Sequence, residues 1–163
     1  IRTLAPFPGT EAAAFDNHTD KGIENRYEFY RDKIREEIDR VMLEKIYPTG
    51  TMLRELRVAD TRFEFSLARP IQSYAITVKI PTKLPIGSFV DCIVASHRER
   101  SIIALPVPIA INHINAKALE YIPGIGKRTA SDIILKRPFT EIESVLKITP
   151  SINRAVADQI IFD

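Results

Sequence analysis

Two adjacent cations, Lys127 and Arg128, directly follow the segment Pro123-Gly124-Ile125-Gly126. Proline cannot continue a helix and glycine tolerates a positive φ, so the segment predicts a tight turn between two helices. The first turn of the second helix would have free backbone N–H groups and the positive end of its dipole, both left uncovered by the glycines. With Thr129 behind the cations, these residues predict a site for a nucleic-acid phosphate, held without reading the bases.

Two short helices must position this turn. The apolar residues at helical spacing are Ala118, Leu119 and Ile122 before the turn and Ala130, Ile133 and Ile134 beyond it. Pro138 then predicts the end of the second helix. Because Ala130 is small, the two helices are expected to approach closely. The alternative is a plain αα-hairpin in which the glycines serve only the turn.

Residues 119–134 resemble the helix-hairpin-helix family of nucleic-acid-binding motifs over the turn and the second helix. The resemblance implies sequence-independent binding of a phosphate backbone through residues 123–129. A degenerate second copy stands at residues 146–161, with Ser151 and Asn153 at the positions of Gly124 and Gly126. We expect a tandem unit in which the first copy binds and the second mainly supports it.

The second copy also has a cation, Arg154, at the position of Lys127. Arg154 is therefore a secondary candidate for nucleic-acid binding. Because Ser151 and Asn153 carry side chains that would crowd a phosphate, binding by this copy stays open. Chance similarity between two apolar helical hairpins is the alternative to a true repeat.

The composition excludes several kinds of site. The 163 residues include one cysteine, so no internal disulfide can form, and Cys92 lies in an apolar run that predicts burial. His18, His97 and His113 have spacings that fit no common metal site or catalytic constellation. With 45% hydrophobic and 27% charged residues and no long apolar run, the sequence predicts a cytoplasmic chain with no membrane partner, no metal site and no catalytic residues.

Residues 24–46 predict one amphipathic helix. Its apolar residues recur at spacings of three and four, as Tyr27, Tyr30, Ile34, Ile38, Val41 and Met42. Charges of both signs occupy the other faces, which is typical of a solvated surface. We expect this helix to link an upstream domain to the modules that follow.

Residues 47–112 predict a small β-barrel. Five short strands are expected at Met52–Val58, Phe63–Leu67, Tyr74–Ile80, Ser88–Ser96 and Ser101–Leu105, separated by turns. The region mixes aromatic and basic residues, namely Phe63, Phe65, Tyr74, Arg54, Arg57, Arg62, Arg69, Lys79 and Lys83. Such a mixture suits a barrel that tracks a single strand, and we take Arg57, Arg62 and Lys83 as secondary binding candidates. Aromatic residues on strands also serve as core, so both roles stay open.

Residues 1–10 resemble the last barrel strand and the Phe-Pro-Gly-Thr loop of radical-SAM iron-sulfur enzymes, notably an archaeal group with a C-terminal helix-hairpin-helix motif. Residues 84–94 are similar to the approach to a late strand in OB-like barrels of the TRAM kind. This resemblance implies a parent enzyme that uses S-adenosylmethionine and a [4Fe-4S] cluster. One cysteine cannot ligate a cluster, so we expect no cofactor in this region itself.

The sequence thus predicts an α+β chain in four parts. These are the end of an upstream radical-SAM domain (1–23), a linker helix (24–46), a five-stranded OB/TRAM-like barrel (47–112) and an all-α tandem helix-hairpin-helix domain (113–163). The short Pro-rich exit at residues 105–108 predicts that barrel and hairpins pack against each other. The expected function is binding of DNA or RNA for the parent enzyme, and the alternative is a protein-interaction scaffold.

Overall fold

The computed structural model of the protein describes residues 8–14, 21–71 and 76–163. The expected opening strand, His18 and Tyr74 lie outside these ranges. Helix α1 spans Glu11–Ala14. A longer helix runs through α2 (Lys21–Ile34), a π-helical turn (Arg35–Asp39) and α3 (Arg40–Ile46), with helical backbone at both junctions. The predicted helix over residues 24–46 is therefore confirmed.

The apolar stripe of this long helix is mostly open to solvent. Ile38 is 55% exposed and Met42 48% exposed. Of the side chains described on it, from residue 26 onward, only Leu43 is buried. Two ion pairs, Arg35–Glu99 at 3.9 Å and Asp39–Arg100 at 3.3 Å, join the helix to the turn of the last barrel hairpin. No helix in the described part of the chain is both long and apolar enough to span a membrane.

Five strands close into a small barrel. They are β1 (Met52–Arg62), β2 (Phe65–Arg69), β3 (Thr77–Ile80), β4 (Phe89–Arg98) and β5 (Ser101–Pro106). Their order around the barrel is β1-β2-β3-β5-β4, with β3 and β5 parallel and the other pairs antiparallel. The predicted α+β class with a small five-stranded barrel is confirmed, and the barrel is compatible with an OB fold.

Alternation along β1 shows why this segment forms a strand. Leu56 and Val58 are fully buried, whereas Arg57 between them is exposed, as the period of a strand on a barrel wall requires. The register of β1 shifts between Val58 and Asp60 against β2, and between Leu53 and Leu56 against β4. Such irregularities bend a strand, and β1 can therefore pair with both neighbours around the closed wall.

The C-terminal region contains four short helices and two short strands. The helices are α4 (Ala116–Leu119), α5 (Lys127–Leu135), α6 (Ile142–Ile148) and α7 (Arg154–Ala157). Strand β6 (Ile109–Ala110) pairs in parallel with β7 (Ile160–Ile161). The prediction of an all-α region was wrong in this respect, because the extended exit from the barrel continues into a ladder with the end of the chain.

Barrel and helical region share one hydrophobic core. Ile93, Ala95 and Leu105 of the barrel belong to the same buried cluster as Leu119 and Ile133 of the helices. A second cluster fills the barrel interior. The predicted packing of the two regions against each other is confirmed, since residues of both lie within a single core.

Candidate nucleic-acid interface

The turn between α4 and α5 forms as its residue types require. Asn115 caps α4, because its side-chain Oδ1 accepts a hydrogen bond of 2.8 Å from the N–H of Ala118. The chain then tightens, with the Ile125 N–H donating to the Ile122 carbonyl at 2.9 Å. Gly124 has a φ of +92°, the left-handed conformation that glycine adopts at little cost. The predicted turn is therefore present.

Gly126 plays a different part from Gly124. Its φ is −90° and its ψ is 177°, an extended conformation open to any residue. A Cβ built on Gly126 would have no atom of the described residues within 4 Å. Of the two glycines, therefore, only Gly124 uses the positive φ that glycine tolerates. This residue leaves open space in front of the helix that follows it.

The N-terminus of α5 is bare. Gly126 is its N-cap and has no side chain to accept a hydrogen bond, so no side-chain cap forms. The N–H groups of the first helical turn, at residues 127–129, have no intrahelical acceptor, and the first N–H that is paired within the helix is that of Ala130, which donates to Gly126 at 2.8 Å. Lys127 and Arg128 are both exposed beside these groups. The arrangement offers unpaired amides and the positive end of the helix dipole to an anion.

The two cations beside this helix are also uncommitted. Within the described residues, neither Lys127 nor Arg128 forms an ion pair. Thr129 is half-buried at the base of the helix. Of the residues predicted from the sequence as the primary site, 123–129, Ile125 is buried in the hydrophobic core, and the other six are exposed or half-buried around the start of α5.

The corresponding helix of the second copy is capped by the protein itself. Asn153 is the N-cap of α7, and its Oδ1 accepts a hydrogen bond of 3.3 Å from the N–H of Val156. Arg154 forms an ion pair with Asp158 at 3.5 Å. A Cβ on Gly50 would lie 3.2 Å from the Asn153 side chain, so this turn also packs close to the entrance of the barrel. The second helix start is therefore occupied where the first is open.

The two turns meet directly. A Cβ on Gly124 would lie 2.8 Å from the carbonyl oxygen of Ser151, closer than such atoms approach in proteins. Thr149 Oγ1 lies 3.4 Å from the Gly124 carbonyl oxygen as well. Gly124 is thus required by the contact between the two hairpins, in addition to its positive φ.

A groove runs from the hairpin onto the barrel. One depression of about 730 Å³ is lined by Pro123 to Gly126 and by the end of β4. A second, of about 710 Å³, lies on the barrel wall, and both include Arg98 and Tyr121. We call the two together the junction groove. Its barrel half includes Phe63, whose side chain is 93% exposed.

The secondary candidates divide between this groove and other surfaces. Arg62 lines the junction groove, where it pairs with Asp60 at 3.1 Å. That ion pair and the Thr61 N–H lower the pKa of Asp60. Arg57 and Lys83 are exposed but lie outside the groove lining. Arg98 ends β4 and Tyr121 follows α4, and neither residue gives a local sign in the sequence that the two line one groove.

The histidines and the cysteine take structural or surface positions. His97 Nε2 lies 2.7 Å from the carbonyl oxygen of Tyr47, and His113 is exposed. Cys92 is fully buried in the barrel interior, and burial, with a smaller effect of the neighbouring Asp91, raises the pKa of its thiol to about 12. No group of three or more His, Cys, Asp or Glu side chains in the described ranges could hold a metal ion.

Two curated proteins from archaea are similar to this chain. A protein of Archaeoglobus fulgidus is 28% identical over 148 residues, which is 89% of the chain. A protein of Methanocaldococcus jannaschii is 36% identical over 104 residues, which is 63% of the chain. Both are described as uncharacterized proteins. The chain spans 27% and 19% of their respective lengths, and no family model matches it.

Proposed function

We infer that this chain binds nucleic acid, DNA or RNA, through the turn between α4 and α5, and that it does so without reading base sequence. The turn would work as the first copy of a tandem helix-hairpin-helix unit. One phosphate would accept hydrogen bonds from the amides at the start of α5, and Lys127 and Arg128 would contact neighbouring phosphates. Backbone amides and flexible cations match the repeating phosphate and leave the base edges untouched.

The difference between the two helix starts carries this proposal. Asn153 caps its own helix, whereas the amides at the start of α5, which follows Gly126, have no acceptor among the described residues. A helix start that serves only to fold the chain gains stability from a capping side chain. The absence of a cap beside Lys127 and Arg128, which have no carboxylate partner in the described chain, fits a helix start whose acceptor comes from a ligand.

The longer protein from which this region would come is proposed on resemblance alone. We suggest that it is a cytoplasmic radical-SAM enzyme that modifies nucleic acid, with this region delivering the substrate. Residues 1–10 carry this resemblance. The small share of the relatives' length that the chain spans supports a longer protein but not a particular chemistry. The [4Fe-4S] cluster does not fit the residues present, because Cys92 is the one cysteine and it is buried in the barrel. Any catalytic chemistry would then belong to the upstream domain.

A double charge removal with a matched control tests the binding proposal. Lys127→Ala with Arg128→Ala should weaken binding of a short labelled duplex and lower the slope of log affinity against log salt by about two, since about one unit is lost per phosphate contact. Lys147→Ala with Arg154→Ala removes the same two charge types from exposed positions of the second hairpin. Fluorescence anisotropy at several salt concentrations measures both, with circular dichroism as the folding control. Equal losses for the two variants would refute a specific site at the first hairpin.

A protein-interaction scaffold is the second candidate function. Leu135, at the end of α5, is 81% exposed, and Phe29 on the long helix is 61% exposed. Exposed apolar side chains favour contacts with another protein. Salt separates the two functions, because phosphate contacts weaken steeply with ionic strength and apolar contacts do not. Binding to a partner that persists unchanged at high salt, with no measurable affinity for nucleic acid, would favour the scaffold.

A further inference from the structure

Phe63 occupies a position where its residue type has no structural explanation. It follows β1 in the turn to β2, its φ is +53°, and 93% of its surface is exposed. A left-handed conformation is unfavourable for a bulky residue, and glycine or asparagine would adopt it more easily. An exposed aromatic ring there gains nothing from core packing that would offset this strain. Strain of this kind at a surface turn is typical of a ligand contact.

Further aromatic and basic residues line the junction groove together with Phe63. Phe65 and Tyr121 stand edge to face, with ring centroids 5.7 Å apart, and Tyr121 belongs to the chain segment that leads into the hairpin turn. Arg69, Lys79 and Arg98 line the same wall, and none of them forms an ion pair within the described residues. Arg98 also lines the hairpin half of the groove. The groove lining therefore combines aromatic rings with free cations, and it extends from Gly126 at the start of α5 to Phe63 in the turn between β1 and β2.

Acidic groups in the groove leave its positive charge in excess. Asp60 is held by Arg62, and the ion pair lowers the pKa of the carboxyl group, which stays ionised and committed to its partner. Glu120 lines the hairpin half, where Lys117 and Arg98 also lie. The three unpaired cations on the barrel wall therefore face solvent without carboxylate neutralisation. This pattern matches a polyanion whose backbone follows the groove.

We propose that the junction groove binds a single-stranded segment of nucleic acid that continues from the backbone held at the hairpin. Bases of the segment stack on Phe63 and on the Phe65–Tyr121 pair, and its phosphates lie against Arg69, Lys79 and Arg98. A duplex presents its bases only to each other, so exposed aromatic rings add affinity only where bases are unpaired. The preferred ligand is then a duplex that ends in a single strand. This inference rests on the proposed binding at the hairpin.

The test compares a short blunt duplex with the same duplex carrying a 5′ or a 3′ single-stranded overhang, each made as DNA and as RNA. The 163-residue chain should bind one of the overhang probes at least about tenfold more tightly than the blunt duplex, since stacking of one base on an aromatic ring is worth about that factor or more. The polarity that gains affinity gives the direction of the strand, and the DNA and RNA arms identify the sugar. Equal affinity for blunt and overhang probes of both polarities would overturn the proposal.

Substitutions with matched controls locate the effect. Phe63→Leu should remove most of the overhang gain without changing affinity for the blunt duplex, and Phe63→Tyr should retain it. Phe89→Leu changes another exposed phenylalanine, 59% exposed and outside the groove lining, and should leave the gain intact. The same overhang gain in Phe63→Leu as in the unchanged protein would refute the stacking role.

A second matched pair tests the cations of the groove. Lys79→Gln with Arg98→Gln should reduce the overhang gain several-fold, whereas Arg26→Gln with Lys45→Gln removes the same charge types from exposed positions of the long helix, outside the groove lining, and should not. The affinities for blunt and overhang probes distinguish an error in the hairpin proposal from an error in the groove proposal. If only the hairpin proposal is wrong, Lys127→Ala with Arg128→Ala leaves the affinity for the blunt duplex unchanged. If only the groove proposal is wrong, the blunt duplex still depends on those two cations and the overhang adds nothing.

Discussion

Gly126→Asn separates the stability of the first hairpin from its binding. The substitution gives the first helix start the residue that Asn153 provides in the second copy. Gly126 has an extended backbone at its N-cap position, and a Cβ there meets no atom within 4 Å in the described chain. The new side chain can therefore enter without strain. Its amide oxygen should then accept a hydrogen bond from the first turn of α5, as Asn153 Oδ1 does from Val156 at 3.3 Å.

The expected change in stability is small and favourable. Asparagine at an N-cap is better than glycine by a few tenths of a kcal/mol. Loss of glycine from the unfolded chain adds about 0.4–1 kcal/mol. The sum, about 1 kcal/mol, would raise the melting temperature by about 2–4 °C for a chain of this size.

The expected change in binding is large and unfavourable. The asparagine side chain would fill the space in front of the amides and take one of their hydrogen bonds. A hydrogen bond to a charged group contributes about 1.5–3 kcal/mol, so the loss of one such bond weakens phosphate binding by about ten- to a hundredfold. Gly126→Asn should therefore be a more stable protein that binds nucleic acid poorly.

The assay is a thermal melt together with anisotropy of a labelled duplex at low salt. Asn153→Gly is the reciprocal control: it removes the cap of α7 and should lower stability, and it should weaken binding far less than Gly126→Asn, because the amides of α5 stay free. A Gly126→Asn variant that melts at or above the original temperature and binds with unchanged affinity would refute the phosphate site at α5. A lower melting temperature would refute the assignment of Gly126 as an unstrained, open N-cap.

Three further predictions concern stability and reactivity. Gly124→Ala should lower the free energy of unfolding by about 2 kcal/mol in urea titrations, because a left-handed alanine costs about 1–2 kcal/mol and its Cβ would meet the Ser151 carbonyl; an unchanged midpoint would contradict this. Heating should give one transition in calorimetry, because Ile93 and Leu105 of the barrel share a core with the helices, and two separated transitions would argue against that shared core. Cys92 should react slowly with thiol reagents at neutral pH because it is fully buried. Rapid labelling in the absence of denaturant would contradict this prediction. Since burial raises its pKa from 9.0 to about 12, its contribution to stability is complete below about pH 9 and declines as pH rises toward 12, a loss that Cys92→Ala should lack.

The sequence was sufficient for the elements of the barrel because their signals are local. Alternating apolar residues bounded by Gly, Pro and polar turns identified five strands, and each strand exists. The main errors are at strand ends. Strand β1 runs on to Arg62, beyond the expected Val58, because a bulge lets it leave β4 and continue pairing with β2. The residues of β1 alone do not show which distant strand it pairs with.

The candidate site was predictable in its residue types but not in its division of labour. Pro, Gly and two cations indicated a turn, which the structure contains, and an anion site, which stays a prediction. The separate roles of Gly124 and Gly126 could not be read from the sequence, because the contact that fixes Gly124 is made by Ser151 of the other hairpin. The junction groove was beyond local reasoning for the same reason. It depends on how Tyr121 and Arg98, from distant parts of the chain, lie together.

The two hairpins differ in how the amides at a helix start find an acceptor, and the second hairpin supports the turn of the first. Every helix start has amides that need an acceptor. In the second copy Asn153 supplies it, so α7 is stable without a ligand and its turn can pack beside Gly50 at the barrel. The backbone of Ser151 then lies against Gly124 and leaves its left-handed turn little room to change. The amides of α5 are consequently held in place in the free protein, ready for the proposed phosphate. A ligand that meets a preorganised site does not have to offset the entropy of ordering it, so the capped copy should contribute to affinity without contacting the ligand.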